Sequence, residues 1–278
     1  MRSTFKFDKY IKSTGILKTL IRDGFVVVDF LNTTETEQVA ALYAETGSQN
    51  LQTPYFSTVM STDAWHKKQV YLGLAQIMQR AVANWFIGME LRLANFLVKK
   101  PGAGSEIAPH YDPTFFDTAR GAALGIFCAL TDLDPENGAL HVLKGSQNAM
   151  PPQPIPVCGT FIFSEQQNWI RDNWSPVRLK AGQAYIGLTN LIHGSSPNLS
   201  GTDRVAVGGL LTPLDQQLKV HFALSPGILS EYDVSQDYFF CQPYGSKPQP
   251  AYGSFSGTVL TAPGTPDLSR LDCLLTTN

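Results

Sequence analysis

The spacing of apolar positions changes along the chain and divides it into a helical part and a strand-rich part. Gly24 to Phe30, a β-branched and aromatic run, predicts a first strand. Thr34 and Glu37 stand at capping-box spacing, Val39, Leu42 and Tyr43 form an apolar stripe, and Gly47 ends the pattern, which predicts a helix. The segment Gln49 to Thr58 reads as loop. From Thr62 to Ile87 the positions Val70, Leu74, Ile77, Ala81 and Trp85 recur at helical spacing, with Ser61, Thr62 and Asp63 available as caps. This long helix reads as a buttress.

Beyond it the period shortens to that of strands, broken by glycine, proline and asparagine. Strands are predicted at Glu90 to Val98, Ala122 to Leu130, Ala139 to Leu143, Phe161 to Phe163, Val177 to Leu179, Ala184 to Leu188, Arg204 to Leu211 and Lys219 to Phe222. Asp134-Pro135-Glu136-Asn137-Gly138 is a turn between two of them. Helices followed by many short strands predict a mainly β fold, an antiparallel double-sheet roll with helices packed on one outer face. No internal repeat or linker divides the chain, so 1–278 is expected as a single domain. Within it, a helical buttress spans about 33–88, a β-roll about 90–222 and a proline- and glycine-rich extension about 242–278. The tail Gln242 to Pro266 reads as a wrapped or partly disordered loop.

Composition narrows the function. The chain has 278 residues, 43% hydrophobic and 16% charged, with a net charge of -2. Charge that sparse argues against disorder and leaves surface for a homodimer contact, and the missing basic excess argues against nucleic acid and anionic membranes as partners. Cys128, Cys158, Cys241 and Cys273 lie far apart with no CxxC pair, which predicts reduced thiols. The first residues mix Arg2, Lys6, Asp8 and Lys9 among apolar ones, unlike a signal peptide, and no apolar run approaches a membrane span. A soluble, cytoplasmic protein is expected.

The candidate chemistry lies in Pro109-His110-Tyr111-Asp112-Pro113. His110 and Asp112, at i and i+2 of an extended segment, point to one side. His193 closes an apolar strand and precedes a polar hairpin loop that leads into Arg204, the opening residue of an otherwise uncharged strand. Two neutral imidazoles and one carboxylate occupy one face of a ferrous ion and leave positions open, as in non-heme iron oxygenases. A 2-oxo acid chelates such a site, and a planar guanidinium at Arg204 suits its far carboxylate. His66 reads as solvated, His141 and His221 as facing either the cavity or solvent without being ligands, and Asp134 and Glu136 as turn residues. Tyr111, Thr114, Phe115 and Phe116 are expected at the mouth of a substrate pocket.

Three blocks in this order resemble the phytanoyl-CoA dioxygenase family of iron and 2-oxoglutarate dependent oxygenases. They are Ala94 to Lys99 leading into His110-Tyr111-Asp112, Asp134 to Leu140 leading into Lys144-Gly145-Ser146, and His193-Gly194-Ser195 leading into Arg204. The resemblance implies a double-stranded β-helix, a cupin-like jelly roll, with His110, Asp112 and His193 as Fe(II) ligands and Arg204 holding 2-oxoglutarate. It further implies Ser195 beside that carboxylate and Phe127 lining the co-substrate pocket. Asn95, on the strand before the motif, is a candidate hydrogen-bonding partner of the co-substrate. Halogenating members of the wider superfamily carry glycine or alanine in place of the carboxylate. Asp112 therefore points to hydroxylation of an unactivated C–H bond by O2, with release of succinate and CO2.

The same site would serve desaturation, cyclisation or rearrangement. A non-catalytic β-roll that binds small molecules is the reading from another class, and a zinc-type hydrolase with the same ligands is a third. No basic cluster suits the phosphates of coenzyme A. The expected substrate is a small metabolite, with specialised-metabolite biosynthesis as the setting.

Overall fold

The computed structural model describes residues 8–47, 53–118, 123–149, 153–157, 163 and 165–261. Its first helix, α1 (Thr14–Asp23), was not signalled by the pattern above. It is capped by Ser13 and ends at Gly24, whose φ of 84° places it in the left-handed region that favours glycine. After β1 (Phe25–Asp29) comes α2 (Thr33–Glu45). Its capping box lies one turn-start earlier than expected: Asn32 and Glu35 satisfy each other's backbone N–H groups, in place of Thr34 and Glu37. The short β2 (Tyr55–Ser57) falls in a segment read as loop. Then α3 (Ala64–Trp85) starts at Asp63 and buries Val70, Leu74, Met78 and Ala81.

The strands follow as β3 (Met89–Lys99), β4 (Ile107–His110), β5 (Leu124–Ala129), β6 (Leu140–Val142), β7 (Ser175–Pro176), β8 (Gln183–Leu188), β9 (His193–Ser195) and β10 (Arg204–Pro213), with α4 (Gln167–Asn173) before β7. The strand expected at Phe161 to Phe163 lies outside the described residues apart from Phe163, which is buried. Val177 to Leu179 contributes only a bridge from Leu179 to Leu133.

Six strands form one sheet in the order β1-β8-β5-β10-β3-β2, and four form another in the order β4-β9-β6-β7. Every recorded pairing within them is antiparallel. Phe127, Ala129, Tyr185 and Ala206 of the large sheet pack with Leu140 and Val142 of the small one, so the two sheets close into a roll. The opposite face of the large sheet packs on α2 and α3, where Tyr43 meets Phe96 edge-on at 5.1 Å. Among the described residues no helix is long and apolar enough to cross a membrane.

A third sheet, β11 (Leu218–Ser225), β12 (Ile228–Val234) and β13 (Gly253–Leu260), lies outside the roll. The Lys219 to Phe222 run therefore does not belong to the roll, and part of the proline- and glycine-rich tail is strand. β13 is an edge with a mostly exposed pattern and two glycines, which is why its composition reads as loop. The helix α5 (Tyr238–Cys241) leads from this sheet back to α3, where Phe240 stacks on Tyr71 at 4.6 Å. Cys128 and Cys241 are free thiols.

Candidate metal and co-substrate site

Residues on β4 and β9 build one end of the site. The two strands pair so that His110 and His193 are Cα partners, and their rings lie 4.4 Å apart. Each imidazole is fixed by its own strand: Nδ1 of His110 lies 2.8 Å from the Ala108 carbonyl and Nδ1 of His193 2.9 Å from the Leu191 carbonyl. A carbonyl only accepts, so the proton sits on Nδ1 in both rings and the ligand lone pair is on Nε2. Both Nε2 atoms point at Asp112, whose Oδ1 lies 3.9 Å from His110 and 3.5 Å from His193. The three side chains offer ligand atoms that all lie within 4.8 Å of one another.

Electrostatics couple the three groups. Burial, followed by the charge of His193, depresses the His110 pKa to about 4. Burial also pulls His193 down, but the Asp112 carboxylate outweighs it and the pKa ends raised. Asp112, pushed up by burial, is held below the usual carboxylate range by the two imidazoles. The cluster is thus a carboxylate among imidazoles that compete for it, a donor set suited to a divalent cation.

Two glycines stand beside this cluster. A Cβ on Gly194 would stand 2.6 Å from the Ile107 carbonyl and 2.7 Å from the Trp174 ring, so only glycine lets β9 approach β4 between His193 and Ser195. A Cβ on Gly125 would come 3.4 Å from Asp112 Oδ2, which places this residue of the large sheet beside the carboxylate.

Arg204 lies at the other end of the same cavity, only 2% exposed. Its Nη2 donates to the Gly138 carbonyl at 3.2 Å, and its guanidinium lies 5.2 Å from the Phe127 ring centre. Nε and Nη1 are buried and have no hydrogen-bond partner among the described residues. Burial lowers its pKa to about 10. The Gly138 carbonyl is aimed by the Asp134 to Gly138 turn, in which Asp134 Oδ1 accepts from the Glu136 and Asn137 backbones. A buried guanidinium with two unpaired donors is costly unless an anion reaches it.

Cross-strand rows explain how the remaining side chains meet. Asn95 on β3, Gly208 on β10, Phe127 on β5 and Tyr185 on β8 stand opposite one another across the sheet. All four line the cavity, and Gly208 makes room for the Leu97 side chain, whose Cδ1 would stand 2.7 Å from a Cβ there. Asn95 Oδ1 accepts from Ser57 Oγ at 3.0 Å. Ser195 also lines the cavity and is buried. Tyr55, Lys99 and Arg204 form a second row.

Tyr55, Ser57, Lys99 and Tyr185 were not singled out from the sequence. Tyr55 and Ser57 lie in a stretch without strand periodicity. Lys99 and Tyr185 carried a signal, since each falls in the inward phase of its strand with Asn95 or Gly187. Lys99 is fully buried and gives its amine to the Ser195 and Ser196 carbonyls. Burial, and then Arg204, pull its pKa down to about 6.

Of the residues expected at the pocket mouth, Phe115 lines the cavity whereas Tyr111, Thr114 and Phe116 do not. Tyr111 turns away, as side-chain alternation requires, and meets Phe163 edge-on at 4.9 Å in a separate buried cluster. Thr114 is a clip: its hydroxyl donates to the Gln153 carbonyl and accepts from the Ile155 backbone. Phe116 packs in the main core. His141 is tied to the Ala139 carbonyl and stacked near Trp174, and His221 lies in the third sheet.

A model of the phytanoyl-CoA dioxygenase (PhyH) family matches residues 30–206, more than half of the chain and inclusive of the cluster and Arg204. The chain belongs to the phytanoyl-CoA dioxygenase family. "Phytanoyl-CoA dioxygenase 1" of Oryza sativa subsp. japonica is 31% identical over 114 residues, 40% of this chain and 41% of that protein. "Phytanoyl-CoA dioxygenase domain-containing protein 1" of Danio rerio is 30% identical over 118 residues, 39% of this chain and 40% of that protein. The matched stretch thus spans about two fifths of these PhyH relatives.

Solved structures share the fold at low identity. The non-heme alpha ketoglutarate dependent carbocyclase SnoK from nogalamycin biosynthesis superposes with a TM-score of 0.54 at 18% identity, covering 74% of this chain and 86% of its own. The epimerase SnoN from the same biosynthesis gives 0.53 at 19%, covering 73% and 84%. HygX from Streptomyces hygroscopicus, solved with nickel and 2-oxoglutarate bound, gives 0.51 at 16%, covering 73% and 88%. The roll of this PhyH chain is therefore the double-stranded β-helix, or jelly roll.

Proposed function

We propose that this chain is an iron(II)- and 2-oxoglutarate-dependent dioxygenase that hydroxylates an unactivated C–H bond of a small organic molecule, with succinate and CO2 as co-products. The observation that carries the reading is Arg204: a buried guanidinium with two unpartnered N–H donors, in the same cavity as two imidazoles and one carboxylate. Family membership supports it. His110, Asp112 and His193 would hold the iron, which when bound supplies the activation of dioxygen and the oxidative decarboxylation of the 2-oxo acid.

The chain's own groups bind and orient. The Ala108 and Leu191 carbonyls hold both imidazoles in the tautomer that puts the ligand lone pair on Nε2. Arg204 would take the distal carboxylate through a face of the guanidinium that carries one of its unpartnered donors, Nε or Nη1. Ser195 would add a hydroxyl there, the Phe127 ring covers the guanidinium, and Asn95, held by Ser57, is placed for a polar contact along the co-substrate. The apolar walls keep water away, which strengthens each polar contact.

The setting we read for it is biosynthesis of a specialised metabolite inside the cell. The test is spectroscopic. Fe(II) and 2-oxoglutarate added without oxygen should give a weak visible charge-transfer band, and Arg204→Met should shift its appearance to much higher 2-oxoglutarate concentration. Absence of the band together with no 2-oxoglutarate binding would leave the non-catalytic binding protein. Turnover without oxygen or a 2-oxo acid would favour the hydrolase.

A further inference from the structure

The cavity has two chemically different ends, and their order along the large sheet says which end receives the substrate. From Arg204 to Leu210, β10 advances about 20 Å at the ~3.3 Å rise of each strand residue. Along that line the rows run from Lys99 and Arg204, through Asn95, Gly208 and Phe127, to Leu93, Leu210 and Gly125. Gly125 is the residue beside Asp112, so the three-residue cluster stands over the last row. A co-substrate held at Arg204 therefore fills the stretch leading up to the cluster. The space for a substrate lies at and beyond the Leu93–Leu210 row.

That end is walled by Leu93, Leu210, Phe115 and Val157, with Met60 and Tyr244 at a partly open rim. The only ionisable cavity-lining groups of acidic, basic or imidazole type among the described residues are His110, Asp112, His193 and Arg204, all absorbed by the site already described. The wall is also fixed in place. β11 accepts Val157 N–H on the His221 carbonyl and donates Lys219 N–H to the Phe115 carbonyl. His221 binds the Thr114 carbonyl through Nδ1 and Glu231 through Nε2. The third sheet, which contributes nothing to the roll, is thus the backing of the substrate wall.

We infer that the substrate is an uncharged, hydrocarbon-rich molecule, received beyond the three-residue cluster against Leu93, Leu210, Phe115 and Val157. This rests on the functional reading above. A carboxylate, phosphate or ammonium entering that end would lose its hydration with no counter-charge among the described residues beyond the three-residue cluster, which costs several kcal/mol for an isolated ion. The cavity, about 540 Å³, lies in the range for small-molecule sites and exceeds what a short dicarboxylate needs.

The experiment uses the full chain loaded with Ni(II), a redox-inert stand-in, and 2-oxoglutarate. Nile red, an uncharged apolar fluorophore, should bind saturably at one site. 1-Adamantanol should displace it at concentrations at least tenfold lower than 1-adamantanecarboxylate, which has the same cage with a charge. Leu93→Trp, or Leu210→Trp if the first does not fold by thermal melting, should weaken Nile red binding at least tenfold. Equal displacement by alcohol and carboxylate overturns the inference, as does undiminished dye binding in a folded tryptophan variant. If neither variant folds, the alcohol-to-carboxylate ratio in the unaltered protein decides. Calorimetry of 2-oxoglutarate binding runs alongside. Its failure sinks the dioxygenase reading, whereas the ratio measured without 2-oxoglutarate still reads the wall.

Discussion

The two faces of the six-stranded sheet come from the same strands yet obey opposite rules. Towards the helices, β3 presents Ala94, Phe96 and Val98 and β10 presents Val207 and Leu211, all buried, apolar and packed on the main core. Towards the roll, the alternate residues include Asn95, Lys99 and Arg204, all buried, with two basic side chains side by side. The first face contributes stability by packing. The second carries cost in the empty protein, because neither Lys99 nor Arg204 has an acidic partner among the described ion pairs and Arg204 has unpaired donors. A fold that tolerates this on one face and not the other is pre-organised for a ligand there.

Five substitutions test that contrast, from the largest expected effect to the smallest. Asp112→Ala should abolish iron- and 2-oxoglutarate-dependent turnover while the protein still melts cooperatively; full activity in this variant would end the assignment. Phe96→Ala, on the packed face, should cost about 3–5 kcal/mol in urea denaturation and leave 2-oxoglutarate affinity in the folded protein nearly unchanged. If affinity falls as steeply as stability, the two faces are not separable.

Arg204→Met should do the reverse. Loss of a charged pair with carboxylate is worth about 2–5 kcal/mol, so 2-oxoglutarate should bind some 30-fold or more weakly by calorimetry, with stability equal to or above that of the unaltered protein.

Lys99 sharpens the comparison through pH. Its pKa falls from the ordinary 10.5 to about 6. Between those values the unfolded chain holds a proton that the folded chain lacks, so this residue makes stability rise as pH rises from about 6 towards 10. Lys99→Met should flatten that slope, by about 1–2 kcal/mol or a few degrees in melting temperature between pH 6.5 and 9.5. An unchanged slope would show that the amine stays charged. Tyr111→Phe is the smallest: its buried hydroxyl has no partner among the described residues, so removal should change stability by less than about 1 kcal/mol and leave the Fe(II)–2-oxoglutarate band in place.

Much of the fold was legible because periodicity reports burial directly. The long α3, the strands β1, β3, β5, β6, β8 and β10 and the Asp134 to Gly138 turn follow from patterns of apolar spacing and turn residues, whereas the two- to four-residue strands β4, β7 and β9 are too short to show a period. What was missed has a physical cause in each case. β13 is an exposed edge and has no alternation to detect, β2 is three residues long, and α1 is short and flanked by polar residues. Among the candidate site residues, His110, Asp112, His193, Ser195, Arg204, Phe127, Asn95 and Phe115 meet around one cavity. Tyr111, Thr114 and Phe116 lie close in sequence to the cluster but point elsewhere, since adjacent strand residues face opposite sides and the Thr114 clip turns the chain.

The sequence alone determined the donor types and their order, because side-chain chemistry is a property of short segments. The strand that His193 was expected to close and the hairpin to Arg204 are replaced by β9 in the four-stranded sheet and β10 in the six-stranded one. The sequence also carried the family resemblance. Only the tertiary structure decided that His110 pairs with His193, that Arg204 is left with unpaired donors, and that Lys99 lies opposite it. Those facts depend on register between distant strands, which no local pattern records. The apolar character of the substrate end is of the same kind, since Leu93, Phe115, Val157 and Leu210 converge only when the third sheet backs the roll.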